Sequence, residues 1–303
     1  MQQAIEQREQ VLDTSKRVTL SKILVTTDFS EVSNRALDYA IALARRYDAR
    51  IYLAHVITPD PFQFAEPQLA QATYEKVQQA AEEEITDILI SGKLRGVPHE
   101  VLLEEGNIWP SLEQMIARHD IDLVVAGTHG RGRVQKMLMG SVAEEIFRRA
   151  DVAVLTVGPA VKDSVGSEVE FHRILFATDF GFGAAKAAAY AFSLAQEHNA
   201  RLTVLHVIEN GEAYTEAGAA RRSQVNILRM KRLMSRDCEN WCKPEFRVTF
   251  GSAGEEILKV AHECQADLIV MGTKTSSMAG HIPATIAYNV VTKANSPVLT
   301  VRG

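Results

Sequence analysis

The sequence predicts an α/β protein built from two copies of an open five-stranded parallel sheet with helices on both faces. Two observations lead to this prediction. Apolar strand-like runs alternate with segments whose apolar residues recur at helical spacing, and such alternation is typical of parallel sheets covered by helices. In addition, four strand-like runs of the first half return in the same order in the second half. Repeats of this length are whole domains rather than the short units of a solenoid.

The duplication predicts how the 303 residues are divided. We expect an N-terminal extension (1–20), a first domain (21–158), a linker (159–170) and a second domain (171–303). Each domain is large enough to bury a core of its own. The matching runs are 22–29 with 173–180, 53–57 with 204–208, 122–128 with 267–273, and 154–157 with 298–301.

Within each copy, strands and helices are predicted to alternate. The first helix has apolar residues at i, i+3, i+4 and i+7 from Leu37, which is the spacing of one buried face. Ser30 or Ser33 offers its N-cap. The run 121–126 is apolar on both faces, as a covered parallel strand must be. In chain order, the first copy is predicted to contain strands at 22–27, 50–57, 99–103, 121–126 and 152–157, with helices after Ser30, at 68–91, at 111–118 and after Ser141.

Composition narrows the class of protein. A hydrophobic fraction of 46% and a charged fraction of 23% are ordinary for a globular chain, and a net charge of −5 gives no reason to expect nucleic acid or an anionic membrane as a partner. No run approaches the length needed to span a bilayer, and residues 1–20 lack the apolar region of a secretion signal. The 3 cysteines suit the reducing cytoplasm. Cys238 and Cys242 have no Cys-x-x-Cys spacing, so unpaired thiols are favoured over a metal site.

A glycine-rich segment, 127–141, follows the fourth predicted strand and leads into a helix. A strand, a glycine-rich loop and a helix start is the order needed to hold phosphate, because glycines let the backbone approach a ligand closely. The free N–H groups of the helix terminus add donors and positive partial charge. The alternative is a loop that needs glycines only for its turns.

The strand ends predict where a ligand would lie. In open parallel sheets, ligands bind at the carboxyl ends of strands where the strand order reverses. Asp28 ends the first strand, Val56 lies near the end of the second, and Gly127 follows the fourth. An acid at this edge can accept a hydrogen bond from a ribose hydroxyl. Asp28 could instead cap the following helix, and the residues alone leave both roles open.

The spacing of Gly127, Gly130 and Gly140-Ser141 resembles the ATP-binding signature of the universal stress proteins. The resemblance covers nearly the whole chain, twice, and implies a Rossmann-like, adenine nucleotide alpha hydrolase-like fold. It implies ATP as ligand, with or without Mg²⁺, with adenine near Val56 and ribose near Asp28. The phosphate-binding residues that it implies are Gly127, Gly130, Gly140, Ser141 and Val142. Thr128 and Arg131 are predicted as further nucleotide-binding residues.

The second copy departs from this signature. Thr275 stands in place of Gly130, and Ala284-Thr285 in place of Gly140-Ser141. Each replacement adds a Cβ where a phosphate would need close backbone approach. Thr285 can still cap the helix that follows. We therefore expect the fold to survive and the phosphate affinity to fall, while another ligand for this copy stays open.

Enzyme functions have weaker support in the sequence. No Ser-His-Asp or Cys-His set can be brought together, and the P-loop signature of NTPases is missing. We expect His129 to be exposed beside the glycines, and His55 and His206 to be structural. The prediction is an ATP-binding, nucleotide-responsive stress regulator of the cytoplasm with an unidentified protein partner. The alternatives are an interaction scaffold that binds no nucleotide and a slow ATPase or phosphotransferase.

The last strand of each copy is apolar and would lie at a sheet edge if the strand order is 3-2-1-4-5. Such an edge invites aggregation unless it is covered. We expect the two last strands to pair, with Leu155 and Leu299 shielded, which would form a pseudo-dimer within one chain. This resembles the homodimer contact of single-domain universal stress proteins. In the competing arrangement the domains move freely and each covers its own last strand; a further homodimer is left open.

Overall fold

The computed structural model describes residues 17–58, 67–129, 139–161, 169–181, 183–209, 216–234, 243–273 and 285–303. Contacts divide the chain into two compact units. The first compact unit comprises 19–170 and 276–300, and the second comprises 1–18, 171–275 and 301–303. Most of the predicted N-terminal extension, residues 1–16, lies outside the described residues.

The first compact unit contains a parallel sheet with strand order β3-β2-β1-β4-β5, which confirms the predicted order. Helices alternate with the strands along the chain. Its elements in chain order are β1 (Lys22–Thr26), α1 (Glu31–Tyr47), β2 (Arg50–Ile57), α2 (Pro67–Ile90), β3 (His99–Glu105), α3 (Ile108–His119), β4 (Leu123–Gly127), α4 (Ser141–Arg149) and β5 (Ala153–Val157).

Strands β1 and β4 are neighbours at the centre of this sheet, with Val25 opposite Val125. Both of these side chains are fully buried, because helices cover a central parallel strand on both faces. The strand order reverses between β1 and β4, since β2 lies on the far side of β1. The carboxyl ends of β1, β2 and β4 therefore meet at one edge, which is where open α/β sheets bind their ligands.

Two helix starts are set by residues whose backbone chemistry suits the first turn. Ser30 is the N-cap of α1, and its side chain accepts a hydrogen bond from the Ser33 amide. The other helix, α3, begins at Ile108 rather than at the predicted residue 111, and its first turn includes Pro110. Proline is tolerated there because the first amides of a helix have no intrahelical partner.

The first compact unit also contains α8 (Ile286–Lys293) and the beginning of β10 (Val298–Arg302). Residues 298–300 of β10 pair antiparallel with β5, and Leu299 lies opposite Leu155. Both leucines are buried, so the two last strands shield each other as the sequence predicts. The wider expectation of a closed pair of domains stays a prediction.

The second compact unit repeats the architecture with strand order β9-β6-β7-β8, all parallel. Among the described residues, no helix is both long enough and apolar enough to cross a lipid bilayer. The elements of this unit are β6 (Arg173–Ala177), α5 (Ala184–Glu197), β7 (Arg201–Ile208), α6 (Glu216–Arg232), β8 (Glu245–Phe250), α7 (Ala253–Glu263) and β9 (Leu268–Thr273).

Candidate functional site

A cavity of about 370 Å³ opens at the carboxyl ends of β1, β2 and β4. This volume falls within the usual range of small-molecule sites. Gly130 and Arg131, which the sequence predicts as nucleotide-binding, lie outside the described residues. The other predicted site residues all line the cavity, namely Asp28, Val56, Gly127, Thr128, Gly140, Ser141 and Val142.

Asp28 lies in a tight turn between β1 and α1. Its Oδ1 accepts a hydrogen bond from the Ser30 amide at 3.1 Å, and the Phe29 amide donates to Thr27 Oγ1 at 2.9 Å. These bonds hold Phe29 at a φ of 62°, a conformation that bulky residues rarely adopt. Because Ser30 is the N-cap of α1, Asp28 does not cap the helix itself. Its carboxylate braces the turn on the cavity wall.

The second copy keeps this turn. The Gly181 amide donates to Asp179 Oδ1 at 2.7 Å, the Phe180 amide donates to Thr178 Oγ1 at 3.1 Å, and Phe180 has a φ of 58°. A Thr-Asp-Phe turn is therefore part of the fold of both copies. Its presence alone does not distinguish a binding copy from a non-binding one.

His55 is held by the same turn. Its Nδ1 lies 2.8 Å from the Thr27 carbonyl oxygen, which can only accept, so Nδ1 carries the proton. The imidazole also packs against the Phe29 ring, with centroids 4.6 Å apart. In the second copy, His206 Nδ1 lies 2.8 Å from the Thr178 carbonyl oxygen. Both contacts favour the structural role that the sequence analysis expects for these histidines.

Gly127 faces the start of α1. A Cβ atom on Gly127 would lie 3.1 Å from the backbone nitrogen of Ser33 and 3.1 Å from a side-chain carbon of Val32. Its counterpart Gly272 is more crowded, because a Cβ there would lie 2.7 Å from the backbone carbon of Gly183. Close packing of the helix after the first strand thus explains why both copies have glycine here. The explanation requires no phosphate.

The N-terminus of α4 borders the cavity and has no side-chain cap. Gly140 is its N-cap residue, with φ −64° and ψ 151°, and the Gly140 amide donates to the Thr128 carbonyl at 2.8 Å. Within the described part of the chain, the amides of Ser141, Val142 and Ala143 make no hydrogen bond. Three donors and the positive end of the helix dipole therefore face the cavity, as an anion-binding helix terminus requires.

The equivalent helix of the second copy caps itself. Thr285 is the N-cap of α8, and its hydroxyl accepts from the Tyr288 amide at 3.2 Å, which confirms the predicted capping role. The buried faces of the two helices match, Ala143, Ile146 and Phe147 of α4 corresponding to Ala287, Val290 and Val291 of α8. In this register Thr285 replaces Ser141. The second copy therefore begins this helix one residue later in the shared register, with a side-chain cap that the first copy lacks.

The side chain of His129 is less exposed than the sequence predicts. The side chain is half-buried and lines the cavity, and its Nδ1 lies 2.9 Å from Thr128 Oγ1. Among the described residues its buried Nε2 has no hydrogen-bond partner, and buried polar atoms normally have one. Burial also lowers the pKa of His129 below its ordinary value because it disfavours the charged form. A neutral imidazole is the expected form near neutral pH.

The apolar wall of the cavity was missed by the sequence analysis. Ile108 and Leu112 of α3 line it together with Ala54 and Val56 of β2. Such a surface suits the faces of a flat heterocycle. The order of elements contains the information needed to predict this wall, because the helix that follows β3 begins at the edge of the sheet where the cavity opens. Among the described residues, no group of three or more His, Cys, Asp or Glu side chains could hold a metal ion.

Comparison with known proteins identifies relatives of both copies. The sequence model described as "Universal stress protein family" matches residues 19–158 and 170–302. A universal stress protein of Methanocaldococcus jannaschii is 31% identical over 146 residues, which are 47% of this chain and 84% of that protein. The solved structure of a universal stress protein from Archaeoglobus fulgidus superposes with a TM-score of 0.68 at 22% identity, covering 93% of this chain and 98% of the other.

A third similar structure is that of a universal stress protein in complex with cAMP. It covers 44% of this chain and 98% of its own, at 20% identity and a TM-score of 0.34.

Proposed function

The chain belongs to the universal stress protein family and contains the family's domain twice, and from this premise we propose that its first copy binds ATP. In this proposal the protein is a nucleotide-responsive stress regulator of the cytoplasm, and the nucleotide is a conformational ligand rather than a substrate of fast turnover. The domain division 21–158 and 171–303 belongs to the same proposal.

The single observation that carries the proposal is the uncapped N-terminus of α4 at the cavity wall. A serine, threonine or aspartate N-cap would satisfy one of the first amides of a helix. Here the cap residue is Gly140, whose φ of −64° any residue can adopt. The backbone conformation therefore does not demand glycine. Phosphate binding requires backbone amides that are free to donate, and the glycine N-cap leaves three such amides facing the cavity.

The remaining walls fit the other parts of an adenine nucleotide. Val56, Ile108 and Leu112 offer apolar contacts for the base, and the Asp28 carboxylate can accept from a ribose hydroxyl. The unpartnered Nε2 of His129 offers a polar contact toward the phosphates. When bound, ATP would bring several negative charges to the dipole of α4, and Mg²⁺ could accompany them.

In the proposal, the second copy binds phosphate weakly or not at all. Its helix α8 has Thr285 as N-cap where α4 has glycine, which places a side chain at the helix end where phosphate would need close backbone approach. Thr275 and Ala284, which replace two loop glycines, lie outside the described residues. We therefore propose one ATP per chain.

The proposal is tested by measuring nucleotide content and affinity. Mass spectrometry of nucleotide released from freshly purified protein should find an adenine nucleotide in at most one equivalent per chain. Calorimetric titration of nucleotide-free protein with ATP, with and without Mg²⁺, should give one site. Protein that carries no nucleotide and gives no heat with ATP or AMP would contradict the proposal and favour the interaction scaffold.

A further inference from the structure

Tyr288 of the second copy contacts the loop that leads into α4 of the first copy. Its hydroxyl oxygen lies 3.3 Å from the Met139 backbone nitrogen and accepts a hydrogen bond from it. Met139 directly precedes Gly140, the N-cap residue of α4. Both partners belong to the first compact unit, so this contact is part of the packing of one body.

Three further contacts fix Tyr288 itself. Its amide donates to Thr285 Oγ1 in the cap of α8, and its carbonyl accepts from Thr292 Oγ1 at 2.9 Å. Its ring meets Phe147 of α4 edge-on, with centroids 6.4 Å apart. The hydroxyl is therefore presented from a helix whose position is already determined.

The Met139 contact completes a pair of bonds on consecutive amides. The Gly140 amide donates to the Thr128 carbonyl at the end of β4, and the Met139 amide donates to Tyr288. One bond anchors the entry to α4 within its own copy, and the other anchors it to the second copy. Because the open amides of Ser141, Val142 and Ala143 come next in the chain, these two bonds determine where those donors point.

We propose that Tyr288 is a positioning residue for the phosphate-binding segment of the first copy. The second copy, in which Thr275 and Ala284 replace two of the loop glycines, thereby completes the site of the first. This inference rests on the proposed function, because the segment that it positions is the one assigned to the phosphates of ATP. Tyr288 does not line the cavity, so it acts through Met139 and Gly140 rather than by touching the ligand.

The variant Tyr288→Phe tests the inference, since it keeps the ring against Phe147 and removes only the hydroxyl. We expect its affinity for ATP to fall by about 2- to 10-fold, the value of one neutral hydrogen bond, and its affinity for adenosine to stay within about twofold. A merely structural role would weaken both ligands equally. The matched control is Tyr190→Phe, the same substitution on α5 of the second compact unit, which should change neither affinity.

A second measurement needs no nucleotide. Hydrogen exchange at the Met139 amide should be faster in Tyr288→Phe than in the wild type, and unchanged in Tyr190→Phe. Unchanged exchange at Met139, or equal losses for ATP and adenosine, would overturn the inference even if the wild type binds ATP. A wild type that binds no ATP would instead overturn the proposed function and, with it, the positioning role.

Discussion

Gly127 lies so close to Ser33 that a Cβ atom on the glycine would come within 3.1 Å of the serine's backbone nitrogen. This proximity assigns Gly127 to helix packing, whereas Gly140, 13 residues later, has an unstrained backbone at an open helix end. The two glycines of one loop should therefore respond differently to substitution.

Gly127→Ala should destabilise the first compact unit by about 1–3 kcal/mol, the usual cost of forcing extra atoms into a packed site. Gly272→Ala should cost at least as much in the second unit, since its Cβ would meet backbone at 2.7 Å. Urea denaturation of each variant measures the effect. A Gly127→Ala protein as stable as the wild type would show that α1 can move away without loss.

Gly140→Val should abolish ATP binding while the protein stays folded. The branched side chain would occupy the space beside the open amides, yet a φ of −64° suits valine as well as glycine. Loss of the glycine N-cap should lower the free energy of unfolding by no more than about 1 kcal/mol. Calorimetry gives the affinity and circular dichroism the fold. Wild-type affinity in this variant would remove Gly140 and its neighbours from the phosphate site.

Asp28→Ala should weaken ATP binding by about 1.5–3 kcal/mol, the value of one hydrogen bond to a charged group, and so by less than Gly140→Val. It also removes the turn bond to the Ser30 amide. Asp179→Ala removes the equivalent bond to the Gly181 amide and is the matched control, expected to alter stability but not ATP affinity. Equal affinity losses in both variants would mean that Asp28 acts through the general stability of the protein rather than by contact with ATP.

Acidification should destabilise the protein partly through His129, because burial lowers the pKa of His129 below the ordinary 6.5. Above pH 6.5 the residue is neutral in both the folded and unfolded states and contributes nothing. As the pH falls below 6.5, the unfolded state takes up the proton first, so stability is lost down to the folded-state pKa. Thermal midpoints of the wild type should therefore fall more steeply below pH 6.5 than those of His129→Asn. Parallel pH profiles would contradict the assigned burial effect.

Thr285→Ala should lower the free energy of unfolding by about 1 kcal/mol, the typical cost of losing an N-cap side chain. Its hydroxyl accepts from the Tyr288 amide at 3.2 Å. Ser30→Ala, which removes the 3.2 Å cap of α1, is the comparison and should cost a similar amount. Chemical denaturation measures both, and an unchanged Thr285→Ala protein would show that solvent replaces the cap at no cost.

Much of the fold could be predicted because its signals are local. The strand Arg50–Ile57 was predicted at its observed bounds, since an apolar, β-branched run has no competing helical spacing. The start of α3 was missed because Ser111 resembles an N-cap, and the sequence does not reveal that Pro110 fits inside the first turn at Ile108. Where two residues could each begin a helix, tertiary packing determines which of them does so.

The sequence predicts those site residues that are recognised by their spacing along the chain. It does not predict contacts between residues that only the folded structure brings together. The spacing of Gly127 and Gly140 indicated one loop, but not that only Gly127 packs against a helix. The partial burial of His129 follows from its neighbours in the cavity, which glycines on either side in sequence do not suggest. Nothing in sequence order connects Tyr288 with Met139, because that contact arises from the packing of α8 against the first copy.

Because Leu155 lies opposite Leu299 in the paired strands, the second half of the gene cannot be lost without an effect on the first. A duplicated domain in which two loop glycines are replaced would ordinarily be free to accumulate further mutations or to be deleted. Deleting the second half of this gene would remove the neighbour of β5 and leave a bare apolar strand edge, a known route to self-association. Selection can therefore let the loop of the second copy diverge while it retains the last helix and strand, so that the two halves are inherited as one unit.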